Sequence, residues 1–597
     1  MKRKSKRDYF QQLLISSKDS RQIWKAINML TNKHRSKSQH TVPDVSINQL
    51  NYHFANIKDK VITHDRTNEN DLSHLKRFLS SKHIHFPFDL QPIAVYEVNK
   101  SILSAKPSKS RDVEGLDINI LKIACPFICE SLTYLYNLCI DKQFFPSKFK
   151  QAKVIPIHKS GDTTNPSNYR PISILSTLSK PLEKHIQKSL YSYLEKNDLL
   201  HEDQSGFRKH HSCHTALTQL VDHIYCNINE NKFTGLLFLD FEKAFDVINH
   251  HLLLRKLILY KVPLEFVKLI KSFLSNRKQT VSIDNKRSDF LPVYYGVPQG
   301  SILGPLLFSL YINDLPCLVN SKCEMFADDS SLHSSDANAN VLVDKLQNDI
   351  ESVVNWTKLN HMSLNAKKTK CMYATTRQKR KKMKSKFPPL FISNNKIDEV
   401  ESHKILGVVI DKDLSWSDHI NSLGKSLSRK TLQLAKIKHF LDNHSRKLFF
   451  NAHILSMIDY ASTLWDNCSE TNLKIINRMY KKAVKLVLLK SSSLTTEDYK
   501  QQDILPLQDR LTFNKAVFMH NVVNGNAPRK IKDKFQINAN RHTHLLSFPR
   551  PKNNIFKSSL LYSGGDLWNK LPPSLKSIKT KSSFKKKFKS FLFSKLL

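Results

Sequence analysis

Phe326-Ala327-Asp328-Asp329 is the stretch from which the fold of this chain is best read. Before it, Cys323-Glu324-Met325 is short and mostly apolar; after it, Ser330 to Ser335 is polar and turn-forming. The pattern predicts a β-hairpin with two carboxylates at its tip. Adjacent aspartates repel unless something positive sits beside them. A divalent cation answers that need, and an all-oxygen donor set suits Mg²⁺ or Mn²⁺. A plain polar turn is the other reading of the same four residues, and the rest of the chain has to decide between them.

Upstream, Gly235-Leu236-Leu237-Phe238-Leu239 is an apolar run that predicts a central strand buried on both faces, with Asp240 near its end. A lone carboxylate there is costly unless it is paired or on a metal. Enough chain separates Asp240 from Asp328 for a helix and a returning strand, so two strands side by side would bring them to one metal pair.

Further upstream, Val154 to Ile157 reads as a strand, Lys159-Ser160-Gly161-Asp162 as a turn, and Tyr169-Arg170 as the return. Lys159 and Arg170 on neighbouring strands suit a triphosphate, Arg as a fork of donors and Lys as a point charge. Two solvated basic residues on a loop are the alternative. Gln204-Ser205-Gly206-Phe207-Arg208 precedes His210-His211-Ser212-Cys213-His214. The second cluster lacks the two separated ligand pairs of a zinc site. Ser212 reads instead as the N-cap of a helix over Thr215 to Ile224, with template-backbone contact the preferred role.

Gly296-Val297-Pro298-Gln299-Gly300-Ser301-Ile302-Leu303-Gly304-Pro305 holds three of only twelve glycines. Glycine lets backbone approach a ligand closely, and Gln299 is the side chain placed to meet a nucleotide or template. The loop enters an apolar helix whose N-terminus favours anions or polar groups. It is not a P-loop: the one Gly-Lys-Ser, at Gly424, has His419 where the earlier glycine belongs.

Composition agrees with a polyanion partner. The chain has 597 residues, enough for three or four domains, and 40% hydrophobic residues, enough for a real core. Ninety-four Lys and Arg against 52 Asp and Glu give +42, which attracts nucleic acid first and an anionic membrane second. The start, Met1-Lys2-Arg3-Lys4, meets Asp8 without an apolar core, so no secretory signal is expected. Phe290 to Asn313 is uncharged but broken by Gly and Pro, and reads as buried interior, not as a membrane span. Nine scattered cysteines suit a reducing compartment.

Residues 1–110 read as mainly helical, with a basic start, polar stretches at Ser36 to His40 and Thr63 to Asn70, and a short amphipathic helix over Val95 to Ser104. Arg377 to Lys384 is basic, fitting RNA binding, nuclear import or a solvated loop equally. Residues 420–490 read as helices with Leu432, Ile437, Leu448, Phe449 and Ile454 in a core. Residues 574–597 alternate Lys with Phe584, Phe588, Phe591 and Phe593, an amphipathic helix lying either on template RNA or on the rest of the protein.

In order along the chain, these pieces resemble the reverse transcriptases of non-LTR (LINE-type) retrotransposons, most like the jockey-related elements. Val154 to Lys159 and Asn168 to Ile172 look like the fingers motifs. Leu239-Asp240-Phe241-Glu242-Lys243-Ala244-Phe245-Asp246 looks like the first palm motif, Gly296 to Leu306 the second, Phe326 to Asp329 the third and Leu364 to Lys370 the fourth. Leu406-Gly407-Val408 is similar to the primer-grip region, and Asp566 to Pro572 to the ends of such elements. The likeness covers roughly residues 110–500.

The resemblance implies an α+β right-hand polymerase with fingers, palm and thumb. A helical amino-terminal extension would occupy 1–110, fingers and palm 111–415 with core motifs over 150–410, a helical thumb 416–500, and a basic carboxyl-terminal extension 501–597. It implies an RNA-directed DNA polymerase that copies element RNA into cDNA from a DNA 3′-hydroxyl, by target-primed reverse transcription and two-metal nucleotidyl transfer. Asp240, Asp328 and Asp329 would hold two Mg²⁺ (or Mn²⁺) ions. Lys159 and Arg170 match the triphosphate contacts, Phe245 the aromatic gate against a ribose 2′-hydroxyl, and Gln299 and Gly300 the nucleotide and template contact. Lys368 matches the fourth-motif lysine, a proton donor to leaving pyrophosphate. The implied partners are template RNA, primer or target DNA and deoxynucleoside triphosphates, with no membrane. The implied location is nucleus and cytoplasm, in a ribonucleoprotein. No endonuclease, ribonuclease H-like block or cysteine-rich knuckle is read in the chain, so the endonuclease would come from another chain or have been lost by truncation. The alternative is a catalytically inactive or domesticated RNA-binding protein, maturase-like, which would not need the three aspartates. An RNA-dependent RNA polymerase is disfavoured by Phe245.

Overall fold

Nine strands carry the region of interest: β1 (Gln151–His158), β2 (Tyr169–Leu175), β3 (Phe233–Leu239), β4 (Arg277–Ile283), β5 (Lys286–Arg287), β6 (Leu291–Val293), β7 (Lys322–Phe326), β8 (Asp329–Asp336) and β9 (Lys370–Ala374). The computed structural model describes residues 2–15, 19–31, 45–61, 72–284, 286–383, 385–540 and 543–596. Ser36 to His40, Thr63 to Asn70 and Lys384 lie outside the described residues, as do the side chains of Lys2, Arg3 and Lys6 in the basic start.

The central sheet runs, from one edge, Asp398–Glu399, β9, β3, β8, β7, with β3 antiparallel to both neighbours. β3 is apolar without interruption because both of its faces are covered. Leu237 and Leu239 point into one hydrophobic core with Cys371 and Tyr373 of β9. Leu236 and Phe238 point into a second with Met372 and Ala374. That is the period-2 alternation of a strand with no solvent face. Each such side chain, fully buried, contributes about 1.5–3 kcal/mol.

The first core is closed by the helices Ile118–Asp141, Gly304–Tyr311 and Ala339–Leu359. A buried ion pair ties the helices His250–Leu259 and Ala339–Leu359 to Asp314: Lys256 Nζ lies 2.9 Å from Asp314 Oδ1, and Trp356 Nε1 donates to the same oxygen at 3.3 Å. Removing one partner of such a pair costs about 3–5 kcal/mol, because the other charge is left stranded. The second sheet, β2-β1-β4 with β5 and β6 beside β4, stands next to this core, with β1 parallel to β4 and antiparallel to β2.

The second core takes in the helix Cys213–Asn229, the outer face of β3, and the carboxyl-terminal helices Ser417–Ile437, Glu470–Leu488, Leu507–Val523 and Lys581–Ser594. Cys213–Asn229 is helical because Ser212 caps it, accepting from the Thr215 N–H while Thr215 bonds back to the Ser212 N–H. The histidines at its start serve the fold: on the helix the His214 ring bonds Thr463 Oγ1 at 2.6 Å, and just before it the His211 ring bonds the Lys209 carbonyl at 2.9 Å.

Several expectations change. The polar run Ser330 to Ser335 is the second strand of the hairpin, not a turn, since its backbone pairs with β3 on one side and β7 on the other. Ladder hydrogen bonds need no apolar side chain, and serine is small enough for the interior. Leu432 is 51% exposed while Ile437, Phe449 and Ile454 are buried and Leu448 is partly buried. On the helix Ser417–Ile437 the inward stripe is Leu423, Leu427 and Leu434, and Leu432 falls outside it. In the basic run, Arg377 and Arg380 both pair with Asp413, so part of its charge is neutralised. The helix Lys581–Ser594 buries Phe584, Phe588 and Leu592 against Leu507–Val523, so its apolar face is occupied by protein.

The stretch Phe290 to Asn313 contributes β6, a loop and the buried helix Gly304–Tyr311, as expected of interior. The helix Ile118–Asp141 is long and apolar enough to cross a membrane by length and composition. In this fold its Leu121, Cys125, Cys129 and Tyr136 pack into the first core.

Burial lowers the pKa of ten described histidines, most strongly His201, His214 and His419, to about 4, His223, to about 3, and His333. The His223 and His333 rings meet Nδ1 to Nδ1 at 2.7 Å, one donating and one accepting. A pKa depressed in the fold gives stability that is complete above the unfolded value and lost as pH falls. Unfolding free energy is therefore expected to drop below about pH 6.5, by up to ~1.4 kcal/mol per pH unit for each histidine held neutral. Urea midpoints measured near neutrality and one to two pH units lower check this. His333→Gln should flatten the slope, and an unchanged slope would refute the assignment.

Candidate active site

Asp240 leaves the end of β3, where Leu239 lies opposite Ser330. The same register carried one step further sets Asp240 across from Asp329, the first residue of β8. Phe326 pairs with Asp329, so Ala327-Asp328 make the hairpin tip, with Ala327 at φ +58°. The tip is braced from below. Ser205 N–H donates to the Met325 carbonyl at 2.8 Å and Met325 N–H to the Asp203 carbonyl at 2.9 Å. Gly206 lies so close beneath that a Cβ there would stand 2.4 Å from the Ala327 nitrogen. Sequence reasoning missed this brace; its only signal was a glycine between Ser205 and Phe207.

The electrostatics tie the three aspartates together. Asp240 is half-exposed, and desolvation raises its pKa, with Asp328 adding to the rise and Lys368 and Lys159 opposing it. Asp329 is raised by desolvation, then by Asp328 and Asp240, with Arg170 opposing. Its surface area is exposed, so water tempers that desolvation; the neighbouring carboxylates are the firmer cause. Lys368 Nζ stands 3.9 Å from Asp240 Oδ2. Among the described residues no three His, Cys, Asp or Glu side chains converge closely enough to chelate one ion in this conformation. The donor chemistry nevertheless fits a hard divalent cation: three carboxylates, no thiol, and mutual repulsion that a cation would relieve.

The fourth-motif segment runs alongside. Asn365 N–H donates to the Asp240 carbonyl at 2.8 Å, Glu242 N–H to the Ser363 carbonyl at 2.9 Å, and Asp240 N–H to Thr369 Oγ1 at 3.4 Å. This pairing carries Lys368 to Asp240.

The basic hairpin faces the same point. Ile157 pairs with Arg170, and Lys159 N–H donates to the Asn168 carbonyl at 2.9 Å just past the strand. Lys159 is pulled below the usual lysine range by desolvation and by Arg170 and Lys368, while Asp328 and Asp240 pull the other way. Three cations and the carboxylates therefore share one field.

Phe245 stacks on the buried Phe308, ring centres 4.1 Å apart at 18°. Gln299 sends Nε2 to both oxygens of Asp246, at 2.9 and 3.0 Å. Asp246 is partly buried, and desolvation raises its carboxyl to about 6. Gly300 adopts φ +138° against the Ser173 carbonyl of β2.

Leu406 and Gly407 form the two-residue turn, both at positive φ, of a hairpin from Ser402–Ile405 to Val408–Asp411. Tyr460 Oη donates to the Leu406 carbonyl at 2.6 Å. Ile405 and Leu406 face Met325, Phe326 and Asp329 across a small cavity, so this turn lies beside the carboxylate hairpin.

Residues 157–410 match the reverse transcriptase (RNA-dependent DNA polymerase) family. The chain is 27% identical to a probable RNA-directed DNA polymerase from transposon BS of Drosophila melanogaster, over 67% of this chain and 45% of that protein. It is 24% identical to the RNA-directed DNA polymerase from mobile element jockey of the same species, over 76% of this chain and 51% of that protein. Residues 157–410 thus carry a reverse transcriptase domain, similar to those of non-LTR retrotransposons. The chain spans about half the length of the curated relatives it matches.

The reverse transcriptase domain draws Asp240, Asp328, Asp329, Lys159, Arg170 and Lys368 into one electrostatic cluster. Phe245, Gln299 and Gly300 follow from the loops next to it. Arg208 is turned inward, paired with Glu195 at 2.8 Å and bonded to the carbonyls of His201 and Gln204. Gly300→Ala would set a Cβ 2.2 Å from the Ser173 oxygen at a backbone angle that L side chains avoid. We expect it to lose about 1–3 kcal/mol of stability in urea unfolding, and an unshifted midpoint would contradict the close approach.

Proposed function

We propose that this chain is an RNA-directed DNA polymerase that copies element RNA into cDNA from a DNA 3′-hydroxyl, as in target-primed reverse transcription. The observation that carries the reading is the electrostatic coupling of three neighbouring carboxylates, at the adjoining ends of two paired strands, with three cations from two other segments. A polymerase needs that combination: acidic side chains for metal ions and basic ones for a triphosphate.

In this reading the central sheet is the palm and the β1–β2–β4 sheet belongs to the fingers, together spanning 111–415. Residues 416–500 are the thumb, with 1–110 and 501–597 as extensions. Exposed Lys425 and Arg429 on Ser417–Ile437, with Lys474, Arg478, Lys481 and Lys482 on Glu470–Leu488, support a nucleic-acid face there. Template RNA, primer DNA and deoxynucleoside triphosphates are the substrates that fit.

Asp240, Asp328 and Asp329 would hold two Mg²⁺ or Mn²⁺ ions. Such ions lower the pKa of a primer hydroxyl and neutralise charge on leaving pyrophosphate. Lys159 and Arg170 bind the triphosphate, Arg170 through its fork of donors. Lys368, beside Asp240, is the proton donor in this scheme. Phe245 is held by its stack on Phe308, which favours the rotamer that would oppose a 2′-hydroxyl.

Primer extension on poly(rA)/oligo(dT) with Mg²⁺ tests the reading. Asp328→Asn should reduce extension on the order of a hundredfold or more, and extension that survives it would defeat the metal assignment. Phe245→Val should let ribonucleotides be incorporated. Unaltered sugar selection in that variant would remove Phe245 from the gate.

A further inference from the structure

Gln299 does not stand alone in its loop. Its Nε2 is committed to the carboxylate of Asp246, which receives it on both oxygens at 2.9 and 3.0 Å. No donor among the described residues hydrogen-bonds Gln299 Oε1. The amide therefore has one face turned to protein and the other, an acceptor, left for a ligand.

The backbone around the pair is over-determined. Val297 N–H donates to the Phe245 carbonyl and Gly296 N–H to the Ile248 carbonyl, both at 2.9 Å. A Cβ on Gly296 would lie 2.7–2.8 Å from Asp246 main-chain atoms, so only glycine lets the two segments touch. Ser173 N–H of β2 donates to the Gln299 carbonyl at 2.9 Å. Lys243 Nζ reaches the carbonyls of Ser167 and Tyr169 at 3.3 and 3.5 Å, tying the same turn to the basic hairpin. Three segments far apart in sequence thus meet at Asp246 and Gln299.

We infer that Asp246 is a positioning residue: it fixes the Gln299 amide with its nitrogen inward and its oxygen outward, so that Gln299 recognises a hydrogen-bond donor on the incoming nucleotide or its template partner. The inference rests on the polymerase reading above. Free to rotate, the amide would present either end. Bound to Asp246 through Nε2, it is held with Oε1 turned away from that carboxylate, and the orientation is set before substrate arrives.

Asp246→Ala should raise the KM for the incoming nucleotide about tenfold, the value of roughly one hydrogen bond, with a much smaller change in kcat. Gln299→Ala should do the same. The double substitution should be no worse than Gln299→Ala alone, because Asp246 acts through that side chain. Asp246→Asn, which keeps one acceptor oxygen and nearly the same shape, should fall between wild type and Asp246→Ala; it serves if the alanine variant does not fold. Equal penalties for Asp246→Ala with and without Gln299 would overturn the inference, since a merely structural role would add. A wild type that extends primer while neither Asp246 variant shifts KM would overturn the inference alone. A wild type that extends no primer would overturn the polymerase reading and this inference with it.

Discussion

Carboxylates gathered at the end of two adjoining strands repel one another, and the rest of the domain is arranged to keep them there. The repulsion is visible in Asp240 and Asp329, each raised in part by its acidic neighbours. What opposes it is the β-ladder between β3 and β8, seven residue pairs deep, with both faces of β3 sealed by hydrophobic cores. A slip of one residue would turn every side chain of β3 to the opposite core and carry Asp240 out of line with the hairpin. Register is therefore the property on which the site depends.

The supports are distributed along the whole described chain. The fourth-motif segment bonds to Asp240 through main-chain and Thr369 contacts. Asp203 to Gly206 cradle the hairpin tip. Asp203 is in turn ion-paired to Lys530, from the carboxyl-terminal part, which also approaches Glu202 at 3.6 Å. That part shares a hydrophobic core with the outer face of the central sheet. A charge pair across more than three hundred residues of chain links its position to the strand that precedes Asp328.

Much of this was legible in the sequence because it depends on local chemistry. The unbroken apolar run before Asp240 could only be a doubly buried strand, and the hairpin around Asp328 followed from a short strand and a polar break. Ser212 announced a helix because an N-cap hydroxyl has few other uses in that context. Other features stayed hidden for physical reasons. Ser330 to Ser335 carries turn-forming residues, yet pairing on both sides made it a strand, a tertiary choice overriding local propensity. Leu432 is one position off its helix's inward stripe, a distinction that needs the helix phase and not only its composition. The brace at Gly206 and the Asp246–Gln299 pair join residues distant in sequence, and nothing in either segment names its partner. The family resemblance pointed to candidate residues; it did not supply what holds them.

β7 is the last named strand on its side of the central sheet, and a terminal strand normally offers a row of unsatisfied main-chain donors and acceptors. Here Gln204 forms a parallel bridge with Met325, and Asp203 and Ser205 take up the Met325 amide and carbonyl. The segment that steadies the Asp328 hairpin tip therefore also blocks strand addition by another molecule along that stretch. Loosening it would expose β7 to intermolecular pairing, so loss of solubility would accompany loss of site geometry in any variant that releases Asp203 to Gly206.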